Sequence, residues 1–154
     1  MASEIDLTKY TVIKDSREQE GFLFDNMIIQ KLDSGDYSLK GFESILAIER
    51  KKSTGELAMN LFESRFEKEL VRLDSYKYPF LICEFDFESI ILFPEGSGIP
   101  KNVWPKLKVN SGLILKKLTE WGCKYRTKMC FAGKYGKAMC ESIFKRVLEL
   151  EHAP

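Results

Sequence analysis

Gly35-Asp36-Tyr37-Ser38-Leu39-Lys40-Gly41-Phe42-Glu43-Ser44-Ile45-Leu46-Ala47-Ile48-Glu49-Arg50-Lys51 is the stretch on which the reading of this chain turns. Its two ends read as neighbouring strand segments, with Lys40 and Gly41 as turn residues between them. An Asp and a Glu held on adjacent extended segments can share a divalent cation. Mg²⁺ takes oxygen ligands in near-octahedral geometry and keeps several waters, so one or two carboxylates suffice. Lys51 follows Glu49 by two residues, and side chains two apart in a strand share a face. The lysine therefore projects beside the cation, placed to orient or deprotonate an attacking water, a constellation for metal-assisted phosphodiester hydrolysis. A hairpin with a surface Asp and an exposed Glu-Arg-Lys run accounts for the same spacing equally well, because acid-x-Lys patterns are common.

Composition narrows the chemistry. The chain has 154 residues, 44% hydrophobic and 31% charged, which suits one globular domain with a real core. No apolar run reaches the length of a membrane span and no basic-then-apolar leader opens the chain, so a soluble intracellular protein is expected. Cys83, Cys123, Cys130 and Cys140 form no CxxC pair and read as buried, reduced thiols. His152 is the single histidine. That count excludes His-dependent nucleases, Ser-His-Asp hydrolases and most zinc enzymes. Carboxylates, lysine and arginine are left to do any chemistry. The net charge of +1 is unevenly spread, since residues 100–154 carry 12 Lys and Arg against 4 Asp and Glu. An acidic first part and a basic last part suit a protein that binds cations in one place and a polyanion in another; two solvated faces without a ligand give the same pattern.

In chain order, residues 1–9 are polar and expected to fray, leaving 10–151 as a single domain. Tyr10–Lys14 reads as a first strand, ending in Asp15-Ser16-Arg17-Glu18, where Asp15 is a candidate catalytic carboxylate or simply a turn cap. Met27–Leu32, Asp36–Leu39 and Ser44–Lys51 read as further strands of an antiparallel meander. A long helix is expected over Thr54–Tyr76, because its apolar positions recur at three- and four-residue steps. Projected on that helix, Arg65 and Glu69 fall inside the apolar arc, either edging an active site or forming a structural ion pair. Phe80–Phe85 reads as a central strand covered on both faces. Residues 94–105, with Pro94, Pro100 and Pro105, read as a loop. Ser111–Trp121 reads as a helix ended by Gly122, and Cys123–Phe131 as a last strand with Lys124, Arg126 and Lys128 on alternate positions. A closing helix runs from Tyr135 to about Glu151. The expected class is α/β, a mixed central sheet flanked by helices.

Taken together, Asp15-x-Arg17-Glu18, Gly35-Asp36-Tyr37, Glu49-Arg50-Lys51, the helix with Arg65, and Glu84-Phe85-Asp86 come in the order found in one family. The chain resembles the nuclease domain of the XPF-type structure-specific endonucleases, a branch of the PD-(D/E)xK superfamily with a restriction-endonuclease-like fold. The resemblance is good over roughly residues 10–90. It implies metal-dependent cleavage of branched or flapped duplex DNA, in repair or recombination, with Mg²⁺ or Mn²⁺ as cofactor. Carried over, Asp36 and Glu49 are the metal ligands, Asp15 supports the same cluster, and Lys51 positions the water. Glu18, Arg50 and Arg65 complete the site. A homodimer or heterodimer through this domain is implied, and an apolar face of the closing helix (Ile143, Val147, Leu150) fits either that or a core contact.

Two positions depart from the family pattern. Gly55 stands where an Asp is usual four residues after the lysine, and a one-residue insertion brings Glu56 to that role and Arg65 into place. Glu69 stands where glutamine is usual, so its charge needs neutralising by Arg65 or metal. No helix-hairpin-helix module is recognisable after Phe131, which leaves DNA contact to Lys124, Arg126, Lys128, Lys134 and Lys137. A non-catalytic DNA-binding or dimerising domain, and another PD-(D/E)xK enzyme such as a junction resolvase, are the alternatives. The presence of Asp36, Glu49 and Lys51 together weighs against the first.

Overall fold

Six strands form one mixed sheet in the computed structural model, which describes residues 4–152. They are β1 (Val12–Lys14), β2 (Met27–Ile29), β3 (Tyr37–Leu39), β4 (Leu46–Lys51), β5 (Tyr78–Cys83) and β6 (Lys128–Phe131), in the order β2-β1-β3-β4-β5-β6. The chain turns back antiparallel from β1 to β3 and from β3 to β4, whereas β4, β5 and β6 run parallel. Parallel neighbours need a crossover of a dozen residues or more. Helices α1 (Thr54–Asn60) and α2 (Ser64–Leu73) make the first, and α3 (Phe87–Ile91) and α4 (Ser111–Lys124) make the second. Helix α5 (Gly136–His152) closes the chain. The expected α/β class and helix-flanked mixed sheet are what the structure shows.

Each face of the sheet carries its own core. Along β4 the side chains alternate: Ala47 packs with Leu57, Phe66, Leu70, Ile114 and Trp121 on one face. Leu46 and Ile48 pack with Ile143, Phe144, Val147 and Leu148 of α5 on the other. The period of two carries on past the apolar residues, so Glu49 and Lys51 fall on the α1/α2 face and Arg50 on the α5 face. Ile143 and Val147, expected at either a dimer face or a core, are buried within this chain, while Leu150 stays exposed.

Several elements differ from expectation for identifiable reasons. The meander fails at its start, because β1 and β2 are parallel. The connection between them is of crossover length, and Phe22 and Phe24 within it sink into the α5 core, stacking on Tyr37 (5.4 Å) and meeting Phe144 edge-on (5.7 Å). The long helix is two helices. Its break at Leu61–Glu63 contains no Gly or Pro to announce it, and turn-type bonds from Leu61 N–H to the Ala58 carbonyl (3.4 Å) and from Glu63 N–H to the Asn60 carbonyl (3.1 Å) make the corner. Helix α4 runs through Gly122 to Lys124, so β6 begins only at Lys128.

Helix α3 was not anticipated; the Asp86 carboxylate caps it by accepting from Ser89 N–H (2.9 Å) and Oγ (2.8 Å). The loop over 94–105 holds a 3₁₀ turn at Lys101–Lys106. Of the segment expected to fray, residues 1–3 lie outside the described residues. The remainder is ordered: Asp6 caps a 3₁₀ turn at Leu7–Lys9, and Ile5 and Leu7 pack on the α5 core. Cys83 and Cys140 are buried thiols, but Cys123 is exposed and Cys130 half-buried. No described helix is long and apolar enough to cross a membrane.

Candidate active site

The turn into β3 and the end of β4 place the central residues. Tyr37 sits opposite Ile48, so Asp36, one residue earlier, stands beside Glu49 on the α1/α2 face. The Asp36 N–H donates to the Ile48 carbonyl (2.7 Å), and the Asp36 carboxylate accepts from the Arg50 N–H (2.8 Å). Gly35 is required here: its φ of +80° is left-handed, and a Cβ would lie 3.0 Å from the Ile48 oxygen. Its N–H donates to Glu69 of α2 (3.2 Å), tying the turn to the helix above.

The result is a cavity of about 370 Å³ into which Asp36, Glu49, Lys51, Glu56 and Glu69 face. Lys51 is buried, with its Nζ 3.7 Å from both Glu49 and Glu56 and 4.5 Å from the centre of the Phe66 ring. Those ion-pair separations are too long for hydrogen bonds, which leaves the Lys51 donors available to the cavity. The carboxylates are under-compensated. Burial pushes Asp36 up to about 7; the Arg50 N–H opposes that shift, Glu18 adds to it, Lys51 lowers it, and Asp15 raises it again. Burial likewise holds Glu49 well above the usual carboxylate range, with Asp36 adding to the shift against the pull of Lys51. Two neighbouring carboxyls that resist ionising together form a hard-oxygen donor pair able to accept a divalent cation. Among the described residues no group of three His, Cys, Asp or Glu side chains is close enough to make a closed metal cage.

Arg50 points the other way. Its guanidinium pairs with Glu84 (2.8 Å) and Glu18 (3.4 Å) and lies 5.5 Å from the Phe22 ring centre. Asp15 is similarly engaged. Its oxygens accept from the Leu32 N–H (2.7 Å), from Arg17 Nε (2.8 Å), and from the Arg17 backbone and terminal nitrogens (3.2 Å each). Burial works against its charge, but the Arg17 and Leu32 hydrogen bonds outweigh it and hold its carboxyl below the usual range. Asp15 therefore braces the loop after β1 at the cavity wall, with both oxygens already occupied.

Comparisons with known proteins bear on the fold. No protein-family model and no curated protein matches the chain. Solved structures do. XPF from Aeropyrum pernix matches with a TM-score of 0.64 and 20% identity, over 90% of this chain and 65% of that one. XPF from Aeropyrum pernix in complex with DNA matches with a TM-score of 0.63 and 19% identity, over 94% of this chain and 68% of that one. The fold is that of the XPF nuclease domain. The chain spans about 65% of the length of the first of these structures.

Within this XPF-like fold the two departures find physical explanations. A Cβ on Gly55 would overlap the Ser97 carbonyl oxygen, so that position cannot carry a carboxylate, and Glu56 reaches Lys51 instead. Glu69 is neutralised by Arg72, three residues along α2, and not by Arg65. Arg65 itself corrects the projection made on one continuous helix. The corner at Leu61–Glu63 resets the helical phase, and the Arg65 side chain is 87% exposed, 3.6 Å from Glu63 on the cavity rim. Arg17 and Arg72 also line that opening. Arg72 went unread although its three-residue spacing from Glu69 on the same helix was a signal present in the sequence.

The basic residues expected to contact DNA divide into two sets. Lys124, Arg126 and Lys128 lie at the amino end of β6, whereas the cavity opens at the carboxyl end of β4. Lys124 is paired with Glu67 (2.9 Å), and the Arg126 guanidinium binds the Asp74 (3.0 Å) and Tyr76 (3.3 Å) carbonyls. Lys128 lies 5.8 Å from the Phe80 ring centre. Lys134 and Lys137 follow the carboxyl end of β6, the same end as the cavity, with Lys134 over Tyr135 and Lys137 over Phe24.

Proposed function

We propose that this protein is a metal-dependent DNA endonuclease hydrolysing phosphodiester bonds in branched or flapped DNA. What carries the reading is the pair of carboxyls, Asp36 and Glu49, crowded on one face of the sheet with the Lys51 ammonium 3.7 Å from Glu49. That arrangement suits a divalent cation and a phosphate side by side. The XPF-like fold supports it, as does the DNA complex of the Aeropyrum pernix protein.

Asp36 and Glu49 would hold Mg²⁺ or Mn²⁺, which supplies Lewis acidity toward the scissile phosphate. Lys51, fixed by Glu49, Glu56 and the Phe66 ring, points its donors at the same space. There it orients the attacking water or offsets charge building on the phosphate oxygens. Hydrolysis forms one P–O bond to water and breaks one to the leaving sugar oxygen. Glu56 and Glu69 keep the lysine and the Asp36 turn in place. Arg17 and Arg65 at the rim meet the flanking phosphates, contacts that position without reading sequence, while Arg72 offsets the charge of Glu69.

The test is cleavage of flap, fork, four-way junction and linear duplex substrates with Mg²⁺, with Mn²⁺ and with chelator. Metal-dependent cutting of the branched substrates, lost in Asp36→Asn and Lys51→Ala, is the expected outcome. Full activity in either variant, or in chelator, would refute the assignment.

A further inference from the structure

The corner between α1 and α2 holds two large apolar side chains in water. Met59 is 72% and Phe62 65% exposed, whereas Leu57, Ala58, Leu61 and Phe66 around them are buried. Leaving such side chains in water forgoes the stabilisation of burial, and a polar residue would serve an open corner as well. These two alternate in sequence with Asn60 and Glu63, which line the cavity, so they stand on its lip. Ser64 and Arg65 are the next exposed residues along, and Arg17 and Arg72 line the same opening as Arg65.

The chemistry of an occupant follows. A protein partner needs a continuous apolar area, and two side chains interrupted by polar residues and followed by the exposed Arg65 offer little of it. A nucleobase fits better. Its flat face stacks on a phenyl ring, and its phosphates suit the arginines. Bases inside a continuous duplex are stacked on one another and present no free face. We infer that Phe62, with Met59 beside it, is a stacking platform for an unpaired base next to the phosphate in the cavity, and that this subsite favours DNA with single-stranded character at the cut. This rests on the endonuclease reading and adds what selects the substrate.

The experiment uses flapped DNA with 2-aminopurine at the first unpaired position, bound by the full chain carrying Asp36→Asn so that it is not cut. Quenching of 2-aminopurine on binding is expected, retained when Phe62→Tyr is added and lost with Phe62→Ala. In the otherwise wild-type chain, Phe62→Ala should lower the ratio of flap to continuous-duplex cleavage about tenfold, with Met59→Ala giving a smaller drop. Equal quenching and an unchanged ratio in Phe62→Ala overturn the inference while leaving the endonuclease reading intact. A loss of self-association in Phe62→Ala, with DNA discrimination unchanged, also overturns it and assigns the corner to a protein contact. A wild-type chain that neither binds nor cuts any DNA overturns both.

Discussion

The two faces of β4 treat charge in opposite ways. On the α5 face, Arg50 meets Glu84 at 2.8 Å and Glu18 at 3.4 Å, so each charge has a near partner. On the α1/α2 face, Glu49 crowds Asp36, and Lys51 reaches its nearest carboxylates only at 3.7 Å. Adjacent residues of one strand thus contribute to a closely paired cluster, one guanidinium between two carboxylates, and to a loosely paired one, balanced and unbalanced in that sense. A balanced buried cluster is a fastening, because removing one member strands the others. An unbalanced one gains from a ligand of the missing sign, and a divalent cation with a phosphate supplies both missing partners.

If that division holds, the largest effect belongs to catalysis on the unbalanced face. Asp36→Asn and Lys51→Ala should each lower cleavage of a flapped substrate at least about 10³-fold, some 4 kcal/mol of transition-state stabilisation. Both should keep wild-type far-UV circular dichroism. Loss of folding in either would mean that the α1/α2 face also fastens the domain, and the contrast would collapse.

Arg50→Ala should act on stability. It leaves Glu18 and Glu84 without their cation, at a cost of about 2–3 kcal/mol, or a Tm lower by about 4–12 °C. Thermal unfolding in chelator reads this free of any metal contribution. A Tm within a degree of wild type would show the α5 cluster to be no fastening at all.

The pH dependence of the apoprotein sharpens the contrast further. Asp36 is raised to about 7 in the folded chain, mainly by burial, from an ordinary value of 3.8. A raised folded value means that the protonated form is the one the fold prefers. Its stabilisation is fully present below the unfolded value and is lost as pH rises through about 7. Asp36→Asn keeps an acceptor for the Arg50 N–H without the charge. In chelator it should therefore be more stable than wild type at pH 8.5, by about 1–3 kcal/mol, and no more stable at pH 4. Added Mg²⁺ should raise the wild-type Tm at pH 8.5 and leave the variant unmoved. A wild type as stable as the variant at high pH would mean that the face is already balanced.

Much of this was readable from the chain, for reasons that also explain what was not. Period-two alternation put Glu49 and Lys51 on one face without any knowledge of the rest of the sheet, and Gly35 marked a turn that only glycine makes. Gly55 and Glu56 were separable by spacing, although the overlap with Ser97 that settles which one reaches Lys51 comes from a loop some forty residues away. Arg65 was misplaced because the corner at Leu61–Glu63 is set by tertiary packing, with Leu61 and Phe66 buried in the same core and no breaker residue between them. Lys124 and Arg126 read as a strand since their alternation with apolar residues is genuine, but α4 continues through Gly122, which has no backbone neighbour pressing on it. The parallel β1–β2 pair was hidden for a similar reason. Phe22 and Phe24 look like loop residues until Tyr37 and Phe144 give them somewhere to go.

The smallest expected effect concerns Glu69, which belongs to the unbalanced face but has been given a partner. Its carboxylate accepts from the Gly35 N–H at 3.2 Å and is neutralised by Arg72. Glu69→Gln keeps an acceptor for Gly35 and removes a negative charge that helps raise Glu49. With Arg72 already offsetting that charge, stability should change by no more than about 0.5 kcal/mol. The Mg²⁺ concentration for half-maximal cleavage should shift by less than about threefold, since a cation loses one distant attraction and the phosphate loses one repulsion. Arg72→Ala exposes what the arginine was masking. With Glu69 uncompensated, phosphate approach is opposed, so KM for DNA should rise more than kcat falls, and Glu69→Gln in the same chain should restore it. If the double variant is no better than Arg72→Ala alone, Arg72 acts on DNA directly and not through Glu69. The local balance assigned to this corner of the cavity would then be wrong.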